Sequence, residues 1–168
     1  MAVVSKLTDV VSAEEIRALL GVTAKELTDE RVDLPIYLKI VKSSVGALDT
    51  ERRIWATYEA LPDSGLTDEQ TRFQDAFRTY VAVRAAMAIS ISLPGMGFRS
   101  LTDGKASVTR ESNSAELIIG NLQLALEEAA QELVNAAAAL LPSLPVTATV
   151  GLFFGTATPG GTDPVTGA

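Results

Sequence analysis

Thr67 to Ser92 reads TDEQTRFQDAFRTYVAVRAAMAISIS, and this run decides the fold. Thr67 followed by Gln70 is a capping box, in which side chain and backbone exchange hydrogen bonds at a helix start. Phe73, Phe77, Tyr80, Val81, Arg84, Met87 and Ile91 then recur at spacings of three and four, an apolar stripe broken by one arginine. The pattern predicts one long helix from about Asp68 to Ser92, stopped by Pro94, Gly95 and Gly97.

Upstream, Met1 to Val11 reads as an extended arm. Ser12 with Glu15 forms a second capping box, Ile16, Leu19 and Leu20 supply an apolar side, and Gly21 ends that helix. Thr28 and Asp33 are rival caps for the next helix. Pro35 is tolerated only in a first turn, so the regular helix is expected to begin near Asp33. Leu34, Leu38, Val41, Val45 and Leu48 mark its buried stripe. Ile54, Trp55 and Tyr58 indicate a short helix capped by Asp49 or Thr50, and Pro62 to Gly65 makes a turn.

Downstream, the period changes between Phe98 and Arg110. Two short β-prone segments flank Asp103-Gly104, a favoured two-residue hairpin turn. A lone hairpin is marginal in water, so this one needs the helices or a neighbouring subunit to lie on. A last helix is expected from about Ser114 to Leu141, with Ile118, Leu122, Ala125, Ala129, Leu133, Ala137 and Leu140 in its stripe. Alanines 136 to 139 are narrow enough for close approach by another helix, and Pro142 stops the run. A β-prone patch with Leu152, Phe153 and Phe154 and a Gly/Pro/Thr tail follow. The expected fold is mainly α: a bundle of three to five helices with a small β-hairpin and an extended C-terminal arm. Residues 1–141 form the core, including the hairpin at 98–110, and 142–168 form the arm.

The chain has 168 residues, 47% of them apolar, enough for a real core. It contains no cysteine and no histidine. Disulfides, thiolate chemistry, Ser-His-Asp triads and Cys/His zinc sites are therefore excluded. The paired acids Glu14-Glu15 and Glu127-Glu128 do not face one another on a helix and read as solvated surface. Asp29, Glu30 and Asp33 read as favourable charge near a helix start. Gly-Met-Gly at 95–97 lacks the rest of a dinucleotide loop. No catalytic residue, metal ligand or cofactor is expected.

The net charge of −7 is unevenly placed: all 14 basic residues lie between Lys6 and Arg110, and six acids and no base follow Arg110. This balance disfavours sequence-specific nucleic-acid binding. Glu127, Glu128 and Glu132 read either as a solvated helix face or as a surface for a basic partner. Residues 133–162 carry no charge but are interrupted by prolines, glycines and an asparagine, so no membrane span is expected. The N-terminus lacks the basic-then-apolar pattern of a secretory signal. Leu152, Phe153 and Phe154 have two readings, a terminal strand on the chain's own core or an extended segment added to a partner's sheet or groove.

The order of parts resembles the head–tail connector, or adaptor, proteins of tailed bacteriophages. The resemblance rests on the capped helix at Ser12 to Leu20, Leu34-Pro35-Ile36-Tyr37-Leu38 opening a longer helix, and the hairpin sequence from Arg99 to Thr109. It spans roughly residues 12 to 141, with the hairpin its most specific part. It implies a non-enzymatic subunit of the virion neck, assembled in the host cytoplasm as a ring, commonly of twelve copies. The implied partners are the portal protein, a downstream neck or tail protein and further copies of the chain. Leu152, Phe153 and Phe154 would dock on the portal, and Arg99, Leu101, Asp103, Gly104, Lys105 and Val108 would meet a neighbouring subunit. The segment from Asp49 to Gly65 exceeds what a minimal member needs and is read as an insertion with its own contacts. Two other classes stay open: another virion component, such as a capsid-completion or tail-tube protein, and a histidine-free enzyme.

Overall fold

A computed structural model describes residues 4–49, 53–92, 101–103, 106–108 and 113–141, with backbone alone for the two short segments at 101–108 and for 113–116. The fold is mainly helical. Among the described residues there are six α-helices: α1 (Ala13–Leu20), α2 (Asp29–Val32), α3 (Pro35–Leu48), α4 (Arg53–Glu59), α5 (Asp68–Ser92) and α6 (Asn113–Leu140). Between α5 and α6 the backbones of β1 (Leu101–Asp103) and β2 (Ala106–Val108) pair antiparallel, with Leu101 opposite Val108. The rest of residues 98–110, where a hairpin is expected, and residues 142–168, where an extended arm is expected, lie outside the described residues.

Several helix ends carry the bonds that the local sequence predicts. The Glu15 amide donates to Ser12 Oγ at 3.2 Å and the Ser12 amide to Glu15 Oε2 at 2.8 Å, the reciprocal bonds of a capping box. Gly21 ends α1 with φ of 63°, in the left-handed region. The Val22 amide reaches back to the Arg17 carbonyl and the Gly21 amide to that of Ala18, and Val22 itself is buried, which makes a Schellman stop. Thr67 and Gln70 exchange the corresponding bonds at the start of α5, at 3.0 and 3.2 Å. Pro35 sits in the first turn of α3. The two rival caps are corrected: Thr28 precedes a separate one-turn helix, α2, without a side-chain cap bond. Asp33 ends α2 and accepts from the Thr8 amide at 3.0 Å and the Thr8 hydroxyl at 2.7 Å, while Leu34 stands at the cap position of α3. Asp49, itself buried, accepts from the amides of Arg53 and Ile54 and so starts α4.

The centre of the bundle is α5, on which α1, α3 and α6 all pack. Its second half is buried on every side: Tyr80 to Val83 and Ala85 to Ser90 are all inaccessible, with only Arg84 part-exposed between them. The expected single stripe is thus replaced by a wrapped helix. Alanines 82, 85, 86 and 88 leave room for neighbours on flanks a stripe would have left to water. Ile91, placed in that stripe, is 68% exposed because it lies in the last turn, at the edge of what the other helices cover. Leu34, expected to be buried, is also exposed as the residue before the first turn of α3, and Tyr37 fills the buried position instead. Val41 and Val45 are buried as expected.

The expected N-terminal arm is corrected. Val4, Leu7, Val10 and Val11 are buried, and Leu7–Asp9 forms a 3-10 turn capped by the Asp9 carboxylate. The backbone of Val4 is held from both sides, its amide donating to Glu59 at 3.4 Å and its carbonyl accepting from Lys42 at 3.3 Å. Within the 49–65 segment, the described residues of α4 make contacts with the core. Ile54 is buried, Tyr58 stacks on Phe77 at 4.0 Å, and Trp55 meets the same ring edge-on at 5.2 Å. Burying an aromatic ring such as Phe77 stabilises by about 1.5–3 kcal/mol, so α4 shares in the core.

Candidate interaction surfaces

Long helices pin the geometry. Arg72 near the start of α5 donates two hydrogen bonds, at 3.0 and 2.8 Å, to Glu132 near the end of α6, so the two helices run antiparallel. The Tyr37 hydroxyl bonds to that of Ser92 at 2.8 Å, setting the first turn of α3 beside the last turn of α5. The end of α5, the start of α3 and the start of α6 therefore meet at one end of the bundle. Four large apolar side chains are exposed there: Leu34 at 43%, Ile36 at 53%, Ile91 at 68% and Leu117 at 67%. The last turn of α5 and the first turn of α6 lie at this same end.

A second surface lies between α3 and α4, a groove of about 630 Å³ lined by Lys39, Lys42, Gly46, Ala47, Trp55 and Glu59, among others. Lys42 sits 4.9 Å over the Trp55 ring, a cation–π contact. The Trp55 indole N–H is buried and has no acceptor among the described residues. Gly46 stands in mid-helix, and a Cβ added there meets nothing within 4 Å.

The third surface is the outer face of α6. Leu117, Asn121, Leu124, Glu128 and Gln131 follow at helical spacing and are all exposed, Leu124 at 63%. Glu127 and Glu128 are exposed, and Glu132, exposed as well, pairs with Arg72. Gly120, also in mid-helix, has open space where its Cβ would be.

Local hydrogen bonds and burial shift several titratable groups among the described residues. Backbone N–H bonds from Ser5 and Lys6 hold Asp9 below its ordinary value, and the Ser12 amide does the same for Glu15. Burial pushes Tyr58 up, and pushes Tyr80 to about 12 against the opposing pull of Arg84 and the Ser44 hydroxyl. Both phenols thus stay protonated at neutral pH. Arg17, buried, donates to the Leu27 carbonyl at 2.8 Å and pairs with Asp29, so Asp29 ties α1 to α2 as well as charging a helix start. Among the described residues no group of three or more acids could hold a metal ion. None of the described helices is long and apolar enough to cross a membrane.

Of the residues expected to bind partners, Leu101, Asp103 and Val108 lie on the paired strands, where the backbone alone is described. Arg99, Gly104, Lys105, Leu152, Phe153 and Phe154 lie outside the described residues. Sequence reading missed the α3–α4 groove and the two exposed leucines on the outer face of α6. The signals were present: Leu117 and Leu124 fall off the buried stripe, and Gly46 and Gly120 interrupt helices without a turn to make. No family model, curated protein or solved structure matches the chain.

Proposed function

We propose that the chain is a non-catalytic structural subunit of a tailed-phage neck, a head–tail connector that forms a ring beneath the portal and presents a surface to the next tail protein. The observation that carries this reading is the apolar end of the bundle, which holds the last turn of α5 and the first turn of α6 and where Leu34, Ile36, Ile91 and Leu117 stand exposed. Clustered apolar side chains of this size favour cover by another protein. The resemblance of the hairpin sequence to the connector family names the kind of protein. In this reading the 98–110 hairpin meets a neighbouring subunit, while the 142–168 arm docks Leu152, Phe153 and Phe154 on the portal. Ordering an extended arm limits the affinity of one copy, and ring valency multiplies it.

The test is co-sedimentation of the full-length chain and a 1–142 truncation with the portal ring of the same virus. Binding by the full-length chain alone is expected. A folded full-length chain that does not bind would refute the connector role, and an unfolded truncation would assign the arm to the core instead.

A further inference from the structure

We infer that the outer face of α6 in one copy docks antiparallel into the α3–α4 groove of a second copy, with Glu128 between Lys39 and Lys42 and Leu124 over Ser43 and Gly46. The inference deepens the reading of the chain as a self-associating subunit and rests on it.

Charge complementarity comes first. Helix α3 carries two basic residues and no acid, whereas α6 carries four acids and no base. Lys39 and Lys42 are both exposed beside the groove, and Lys39 has no ion pair among the described residues. Glu127 and Glu128 are exposed on α6. The one acid lining the groove, Glu59, already accepts the Val4 amide.

Spacing agrees with charge. Glu128 lies four residues after Leu124, and Lys39 and Lys42 lie four residues before Ser43 and Gly46. Each step rises about 6 Å along its helix, so two antiparallel helices bring both pairs into register together. Leu124 then lies over Gly46, which has no side chain to stand in its way.

The glycines supply an independent reason. A glycine inside a helix costs about 0.5–1 kcal/mol relative to alanine. Neither Gly46 nor Gly120 is required by this chain's own packing, since a Cβ at either position meets nothing within 4 Å. A helix approaching from outside is what their missing side chains admit, and they lie one on each of the two faces.

Orientation permits a chain of such contacts. On α5, Arg72 bonds Glu132 of α6 and Arg84 bonds Ser44 of α3 at 2.7 Å. Twelve residues separate the two arginines, which sets them about 120° apart round the helix. The outer faces of α3 and α6 consequently point in different directions, and one copy can hold two neighbours. Such head-to-tail contacts generate rings when the rotation closes.

Sedimentation velocity on the full-length chain, at low and high salt, tests the pairing. The wild-type chain should self-associate, less so as salt screens the charges. Glu128→Lys and Gly46→Leu, each checked for an unchanged thermal unfolding transition, should each weaken association by about tenfold or more. Lys39→Glu combined with Glu128→Lys should recover most of the loss. Assembly unaffected by Glu128→Lys and by Gly46→Leu would overturn the pairing and leave a ring built through another surface. A wild-type chain that stays monomeric at low salt and millimolar concentration would also overturn it, while portal co-sedimentation would still decide the connector role.

Discussion

Glu15 shows how one side chain links a local motif to pH dependence. Its carboxylate accepts the Ser12 amide, and that bond keeps its pKa below the ordinary range. A carboxyl depressed by folding contributes stability above its unfolded value, and that contribution is lost as pH falls through the folded one. Glu15→Gln keeps an oxygen acceptor for the amide and removes the proton equilibrium. It should lower the melting temperature slightly near neutrality, where the ionised carboxylate contributes, match the wild type at about pH 3, and so flatten the loss of stability below about pH 4. Thermal unfolding followed by circular dichroism at about pH 7 and about pH 3 checks this. An acid limb as steep as the wild type's would assign the loss to other carboxyls, Asp9 first among them, since it is depressed by the same kind of bond.

At the scale of the element, the same substitution should act with opposite sign at two glycines. Gly21 holds the stop of α1 at φ of 63°, where a Cβ crowds the following carbonyl. Gly46 sits inside α3 with open space around it. Gly21→Ala should lower the stability of the isolated chain by about 1–2 kcal/mol. Gly46→Ala should raise it by about 0.5–1 kcal/mol through helix propensity. Urea midpoints at constant slope measure both. A destabilising Gly46→Ala would mean that α3 needs this glycine for its own packing, and the argument from unrequired glycines would fail with it.

For the whole molecule, the N-terminal segment decides how far the bundle extends. Leu7 is fully buried, and Asp33, Glu59 and Lys42 each bond to the backbone of residues 4–8. If this segment is core, Leu7→Ala should destabilise by about 2–5 kcal/mol, as truncations in packed interiors do. A solvated arm would lose almost nothing. Equilibrium denaturation separates the two outcomes.

The sequence alone determined where most helices begin and end. Ser12 with Glu15, Thr67 with Gln70, Gly21 and Pro35 act through bonds and backbone angles within a few residues, so their effect is readable without knowing the rest of the molecule. It also determined that α5 and α6 are long and that α6 carries solvated acids. Tertiary structure alone decided which apolar residues are covered. Periodicity marks a face, but Tyr37 is buried and Leu34 exposed because of where α5 ends, 55 residues further along the chain from Tyr37. The wrapping of α5, the burial of Val4 to Val11 and the groove over Gly46 likewise depend on several helices arriving together. Their cause is the shared volume that packed side chains must fill, and no single segment carries that information.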